Sequence, residues 1–375
     1  MTSLHIEHTP PLPQHRLPGI GCVGAGFIMA NCHLTAYRKA GIEPIAITSR
    51  NVSSAAEVAA RHNIQRVHNN LIELLHDPEV QVLDIAVPPD IQPAVIEKAS
   101  EHKGNIIGIL AQKPLAPSYA EACRLVDLCE KADIRLVVNQ NMRYDPSVYA
   151  CQSLLQNNVL GEPILATIEM RAIPHWMPWQ KRLGWVTLRI MSIHHLDTFR
   201  FWFGNPVRVL ASTRPDPRTA QHFDHSDGIC LTILEYEEHN DVGVSSTRGL
   251  RCLALDDVWN GPDREGTKED SFVNFRIEGM QGIARGSLGW PAWPEHRPST
   301  LAWTNAVGGW NQPRWDEAWF PDAFIGPMAE LLRDLEGTEQ AKCTGRDNLT
   351  TLAIVEAAYI SAKEHRSVLL SEILS

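Results

Sequence analysis

Along the first 140 residues short apolar runs alternate with amphipathic stretches, and glycine or proline marks most of the changes. The run Ile20–Val23 breaks at Gly24-Ala25-Gly26, continues as a helix to Ala40, and is followed after Gly41 by a second strand, Glu43–Thr48. Ser53–His62 is alanine-rich and helical, and Leu71–Leu75 is a short helix stopped by Asp77-Pro78. Val82–Val87 reads as a buried strand closed by Pro88-Pro89, Ile91–His102 as a helix and Asn105–Leu110 as a strand. Ser118, with Glu121 at the capping-box offset, starts a helix to Ala132, and Ile134–Asn139 is the last strand of this region. Strands alternating with helices of this length predict a doubly wound parallel sheet, with ligands at the carboxyl ends of its strands.

From about residue 141 the pattern changes. A helix over Ser147–Gln156 precedes strand-like runs at Ile164–Ile173, Val207–Thr213, Ile229–Tyr236, Val242–Thr247 and Phe272–Ile277. Strands in succession with few helices predict an α+β domain with a large, mainly antiparallel open sheet. Trp290–Trp319, rich in tryptophan and carrying Gly308-Gly309, has little periodicity and reads as a long irregular loop region. Helices over Asp322–Leu335 and Asn348–Glu364 close the chain. The expected organisation is a flexible tail (1–17), an α/β dinucleotide-binding domain of Rossmann type (18–140), and an α+β domain (141–375).

The glycine turn gives the first domain its chemistry. Strand, Gly24-Ala25-Gly26 and helix together form a site where backbone N–H groups approach a pyrophosphate at the positive helix end. Gly24, Gly26, Phe27 and Ile28 are the expected contacts, and Met29 stands where the third glycine of GxGxxG would be. An acidic residue at the end of the second strand would select NAD through the ribose 2′-OH; the chain has Ser49-Arg50 there instead. Ser49 and Arg50 suit a 2′-phosphate, which favours NADP over NAD, while Arg50 also fits a solvated helix start.

The bulk composition narrows the partners. Of the 375 residues 44% are hydrophobic and 21% charged, which suits a globular protein of two domains. The formal net charge of -10 argues against nucleic acid or an anionic membrane. Eight cysteines form no CxxC pair, so a reduced, cytoplasmic setting is expected, with no metal.

Two stretches carry reactive side chains. Gln112-Lys113-Pro114 follows the strand before it at the carboxyl edge, where a half-enclosed lysine can hydrogen-bond a substrate hydroxyl; an exposed turn lysine is the plainer reading. In Leu188–Trp202, His194 and Asp197 share a helical face, and a neutral imidazole there can accept a hydroxyl proton; a core-edge histidine is the plainer reading.

Together these residues resemble the glucose–fructose oxidoreductase, inositol dehydrogenase and rhizopine-catabolism (Gfo/Idh/MocA) family over nearly the whole chain. Gly24–Ile28 with His33-Leu-x-Ala-Tyr37 is similar to the family's opening, and Gln112-Lys113-Pro114 to its Glu-Lys-Pro motif with Gln112 in place of Glu. Asn139–Pro146, Ile193-His194-x-x-Asp197 and Gly345–Leu349 resemble the end of the sixth strand, the catalytic helix and the closing helix. The resemblance implies an NAD(P)-dependent sugar or polyol dehydrogenase or reductase. Lys113 would position the reacting hydroxyl beside nicotinamide C4 and His194 would be the general acid/base. Residues 141–375 would be the substrate-binding and oligomerisation domain, whose open sheet would build a homodimer or homotetramer. It further implies cofactor contacts from Pro88, Gln112, Lys113 and Asn141, and substrate contacts from Arg143, Arg171, His195, Asp197 and Asp322, the last of which also fits a helix N-cap. Ile190 stands where many family dehydrogenases carry Asp, and Gln92 where a His often follows the fourth strand.

The tryptophans of 290–319, with Trp176 and Trp179, either stack on sugar rings or pack against the sheet. Two competing functions share these features: a redox-neutral glycosidase that keeps its NAD, and a sensor that binds the cofactor without chemistry.

Overall fold

The computed structural model describes residues 6–15, 18–172, 177–237, 249–258, 271–290, 295 and 297–374. The strand expected at 242–247, Trp176 and Trp293 lie outside the described residues. Chain contacts define two compact units. One comprises residues 10–141 and 321–349, and the other residues 6–9, 142–320 and 350–374.

In the first unit, β1 (Gly19–Val23), β2 (Ala46–Thr48), β3 (Arg66–His68), β4 (Val80–Ile85), β5 (Gly108–Ala111) and β6 (Arg135–Val138) form a parallel sheet in the order β3-β2-β1-β4-β5-β6. The order reverses at β1/β4, the switch point beside which such sheets bind dinucleotides. Helices α1 (Leu34–Lys39), α2 (Val52–His62), α3 (Leu71–Leu75), α4 (Gln92–Glu101) and α5 (Tyr119–Lys131) connect the strands. Their starts follow the sequence: Asn51 Oδ1 accepts from Ser53 N–H (3.1 Å) and Ser54 N–H (3.4 Å), and Ser118 Oγ from Glu121 N–H (3.2 Å).

The helix expected from Gly26 to Ala40 is not uniform. It opens with a π-helical stretch, Ile28–His33, before α1. Met29, wholly buried, sits in that widened turn, which makes room for a side chain where glycine is usual.

The second unit contains α6 (Pro146–Gln156), β7 (Pro163–Ala172), α7 (Pro178–Leu183), α8 (Ile193–Phe203), β8 (Arg208–Arg214), β9 (Ile229–Glu235), β10 (Arg251–Val258), β11 (Phe272–Gly279), β12 (Gly282–Ser287) and β13 (Thr300–Asn305). The chain then forms α9 (Ile325–Leu335) in the first unit, enters α10 (Gly345–Glu364), and ends with β14 (Val368–Leu369) and α11 (Ser371–Leu374). Among the described residues eight strands run β13-β12-β11-β7-β10-β9-β8-β14, antiparallel except for β7·β10.

Alternation decides the faces. Ala166, Ile168 and Met170 of β7, Cys252 and Ala254 of β10, and Phe275 of β11 are buried, with Phe275 against Trp202 of α8 (ring centroids 5.3 Å). On the other face Leu165, Leu231 and Ile233 stay exposed, and Leu231 and Ile233 pair with Leu255 and Leu253.

Strands β10, β12 and β13 depart from the sequence expectation, as do the short β3 and β14. β10 was not expected, because Leu253 and Leu255 on its open face blur the alternation with Cys252 and Ala254. β12 and β13 form a hairpin-like pair, and β13 lies inside the stretch read as irregular loop. Trp303 belongs to β13, buried, so part of the tryptophan cluster is sheet core.

Candidate active site

The cofactor half is built on the carboxyl ends of β1, β2, β4, β5 and β6. Gly24 takes φ +108, and a Cβ there would fall 2.3 Å from the carbonyl oxygen of Ala86, so only glycine fits. Its N–H donates to Thr48 O at 2.8 Å, closing the turn onto β2. At Gly26 nothing lies within 4 Å of a Cβ position, and Phe27 is 44% exposed, so space opens where the helix begins. An open turn facing first-turn N–H groups fits a pyrophosphate. Ile28 is half-buried behind it. Ser49, half-buried, and Arg50, exposed, end β2, while Pro88 is half-buried after β4 and Asn141 buried after β6.

Lys113 sits on a loop held from inside. The Lys113–Pro114 peptide is cis. Gln92, wholly buried at the start of α4, accepts from Gln112 N–H (2.7 Å) and donates through Nε2 to the carbonyls of Gln112 (2.8 Å) and Leu115 (2.9 Å), with Pro114 O at 3.3 Å. Lys113 itself is half-buried, and burial lowers its ammonium from the ordinary 10.5 to about 7. Behind the loop lies His33, with Nε2 2.8 Å from Gln112 Nε2 and 3.0 Å from Asn139 Nδ2. Its Nδ1 lies 2.8 Å from Asp84 Oδ2, which also accepts from Tyr37 Oη at 2.7 Å.

In the second unit, the chain entering α8 is gathered by Asp227. Its carboxylate accepts from the N–H groups of Val186 (3.1 Å), Thr187 (3.3 Å) and Leu188 (2.9 Å) and from Tyr359 Oη (2.8 Å). A π-helical turn, Leu188–Ser192, then leads into α8, with Ile190 half-buried. His194 is 4% exposed and meets the wholly buried Trp319 edge to face, centroids 5.3 Å apart. Trp290 and Phe320 pack on Trp319 in turn.

The expected substrate residues are engaged with protein groups. Arg143 and Asp197 form a buried bidentate pair (2.5 and 2.7 Å), and Thr351 Oγ1 donates to the same carboxylate at 2.6 Å. His195 Nδ1 lies 2.7 Å from Asp256 Oδ1 of β10, and Ser192 Oγ donates to the other oxygen. Arg171 is 4.0 Å from Asp257, which also pairs with Arg218. In the first unit, Asp322 accepts from Lys39 Nζ at 2.5 Å and begins a short 3-10 turn whose cap position is Pro321. Of the remaining tryptophans, Trp315 stacks on His8 (5.3 Å), Trp310 lies under Arg285 (4.7 Å), and Trp179 is half-buried on α7.

Comparison with known proteins accounts for this arrangement. Residues 19–140 match the model of an oxidoreductase family with an NAD-binding Rossmann fold, and residues 152–370 match the C-terminal alpha/beta domain of the same family. The chain belongs to the Gfo/Idh/MocA oxidoreductase family. A D-apiose dehydrogenase of Paraburkholderia graminis is 25% identical over 353 residues, covering 92% of this chain and 88% of its own. An oxidoreductase from Agrobacterium radiobacter, solved with NAD+, L-tartaric acid and magnesium, superposes with TM-score 0.77 at 23% identity, covering 96% of this chain and all of that one (100%). A levoglucosan dehydrogenase solved with NADH and L-sorbose gives TM-score 0.77 at 17% identity over 95% of this chain and 100% of its own. As a Gfo/Idh/MocA protein the chain is an oxidoreductase with an NAD-binding domain.

Of the groups that hold the site's side chains in place, Gln92, Asn139 and Trp319 stood out in the sequence only as motif or loop positions without a structural role, and Asp84 and Asp227 did not stand out. One signal was present for Asp84, a carboxylate inside the apolar run Val82–Val87 facing a His33/Tyr37 pair four residues apart.

Proposed function

We propose that this chain is an NAD(P)-dependent dehydrogenase or reductase that moves a hydride between nicotinamide C4 and a secondary alcohol of a sugar, glycoside or cyclitol. The observation that carries the reading is Lys113, half-buried at the carboxyl end of β5 on a loop fixed by Gln92, with its proton affinity lowered toward neutrality. The nicotinamide, when bound, supplies the hydride acceptor or donor. Gly24, Gly26, Phe27 and Ile28 hold its pyrophosphate, and Ser49 and Arg50 face the adenosine ribose. Their lack of a carboxylate supports acceptance of NADP beside NAD.

Lys113 orients the reacting hydroxyl and exchanges its proton, since near neutral pH it is present both as amine and as ammonium. His194 is the general acid/base, and its ring plane is set by Trp319 where the sequence offers Ile190 in place of an orienting carboxylate. Arg143 with Asp197 serves as framework that fixes α8, because that buried pair is satisfied by its own members and by Thr351, whereas His195 is held by Asp256 through Nδ1 only and its buried Nε2 has no hydrogen-bond partner among the described residues. The sugar assignment draws on the D-apiose dehydrogenase relative, which spans nearly the whole chain.

The protein works as a homodimer or homotetramer through the open sheet face, where Leu165, Leu231 and Ile233 are exposed. It acts in a reducing compartment, the cytoplasm, consistent with eight free cysteines. Among the described residues no helix is long and apolar enough to cross a membrane.

The test is the near-ultraviolet absorbance of reduced cofactor when purified protein meets NAD+ or NADP+ with aldoses, glycosides and inositols. Turnover is expected, and loss of about a hundredfold or more in Lys113→Ala and His194→Ala. A flat trace with cofactor bound overturns the reading in favour of redox-neutral or non-catalytic use. Sedimentation of an Ile233→Asp variant tests the sheet interface, which fails if the wild type is monomeric.

A further inference from the structure

The buried network behind Lys113 has a direction that its donors and acceptors determine. Asp84 is wholly buried in the middle of β4, and as a carboxylate it can only accept. Tyr37 Oη donates to its Oδ2 at 2.7 Å, and His33 Nδ1, 2.8 Å from the same oxygen, must therefore carry a proton. A neutral imidazole has one N–H, so His33 Nε2 is an acceptor. Both groups that face it are amide nitrogens, Gln112 Nε2 at 2.8 Å and Asn139 Nδ2 at 3.0 Å, and both donate. With the amides so oriented, a second proton on the ring would point at two donors.

The consequence falls on Gln112. Its N–H2 end is turned inward to His33, and its backbone N–H is tied to Gln92. The amide oxygen is the end not used by His33. Gln112 immediately follows β5, on the β4–β5–β6 side of the switch point, which is the side that receives the second mononucleotide half of a dinucleotide. In this family that half carries the nicotinamide.

We propose that His33 is a positioning residue that acts through Gln112, turning the amide so that Gln112 Oε1 accepts a hydrogen bond from the nicotinamide carboxamide. Asp84 fixes the tautomer of His33, His33 fixes the flip of Gln112, and Gln112 thereby selects which way the carboxamide, and with it the ring, is held. A glutamate at 112 would present an acceptor to an acceptor and would require a second proton on His33, so the amide is the matched partner of a neutral ring. The inference rests on the nicotinamide cofactor of the proposed function, and not on the sugar or on the roles of Lys113 and His194.

The experiment is equilibrium binding, read by protein fluorescence, of NAD+ and of its acetylpyridine analogue, in which a methyl group replaces the carboxamide NH2. Wild type is expected to prefer NAD+ by about tenfold, the worth of one well-placed hydrogen bond. Gln112→Leu should bind the two alike, and so should His33→Leu. His33→Gln, whose side chain offers one donor toward Asp84 and one acceptor toward Gln112, should restore the preference. An unchanged preference in Gln112→Leu overturns the contact, and a preference lost there but kept in His33→Leu overturns the part played by His33.

Should His33→Leu fail to fold, nitrogen NMR of the wild-type ring decides. A protonated Nδ1 with a bare Nε2 supports the proposal, whereas an imidazolium or an Nε2–H tautomer overturns it. Binding of neither nucleotide would overturn the cofactor assignment together with this one, while dehydrogenase inactivity with intact discrimination would overturn only the proposed reaction.

Discussion

Replacing Gln92 by leucine tests whether the loop of Lys113 is held by the buried amide. The change keeps approximate size and removes one accepted hydrogen bond, from Gln112 N–H, and the two that Nε2 can donate among the carbonyls of Gln112, Leu115 and Pro114. An orphaned buried N–H costs about 1 to 3 kcal/mol, and each carbonyl that loses its donor about 1 kcal/mol. Leucine returns about 1 kcal/mol through added apolar burial. The net expectation is a loss of about 2 to 4 kcal/mol in urea unfolding, with kcat/KM falling more than cofactor affinity because Lys113 is the group released.

Gln92→Glu sharpens the test. A glutamate can still accept from Gln112 N–H, but its second oxygen faces carbonyl oxygens and must be protonated to donate. Its folded-state pKa is therefore raised above the unfolded value. The variant should approach wild type at acid pH and lose stability as pH rises through neutrality. A loss below about 1 kcal/mol for leucine, or a pH-independent difference for glutamate, would refute the clamp.

The lowered proton affinity of Lys113 gives two further expectations. Alcohol oxidation should rise with pH and level off above about 7, and Lys113→Arg, which cannot release its proton, should lose that limb. Above about 7 and up to the ordinary lysine value the unfolded chain holds a proton that the folded chain has released, so wild type should gain stability with rising pH relative to Lys113→Met; the opposite slope would contradict the burial. Asp145 behaves in the reverse sense. Burial pushes its carboxyl up to about 6 although Ser147 and Ser299 donate to it. Wild type should therefore gain about 2 kcal/mol relative to Asp145→Asn as pH falls from about 7 to about 4. A flat difference in thermal or urea unfolding across that range would show that the serines and backbone N–H groups hold the ionised form instead.

How far the sequence reached depended on the range of the interactions involved. The glycine turn, the Ser118 cap and the apolar runs of the first unit are local, and their spacing exposed them, whereas the Asn51 cap of α2 came only from the structure. β3 escaped, since three half-buried residues, Arg66–His68, carry no apolar signature. In the second unit the open face keeps Leu231, Ile233, Leu253 and Leu255, so strands such as β10 lack the clean in–out alternation that marks a half-solvated sheet. Lys113 and His194 were legible as residues in motifs. Their surroundings were not.

What the sequence by itself determined was the strand–helix alternation of the first unit, the strand-rich character of the second, the family and the NAD-binding domain, because each rests on motifs whose residues lie within a turn or two of one another. Only the tertiary structure decided how the remaining polar groups are spent. Arg143 and Asp197 are 54 positions apart, Gln112 and His33 79, and Asn139 and His33 106, yet each pair is in hydrogen-bond contact. A buried donor must find an acceptor wherever the fold brings one, and no periodicity along the chain records which one that is.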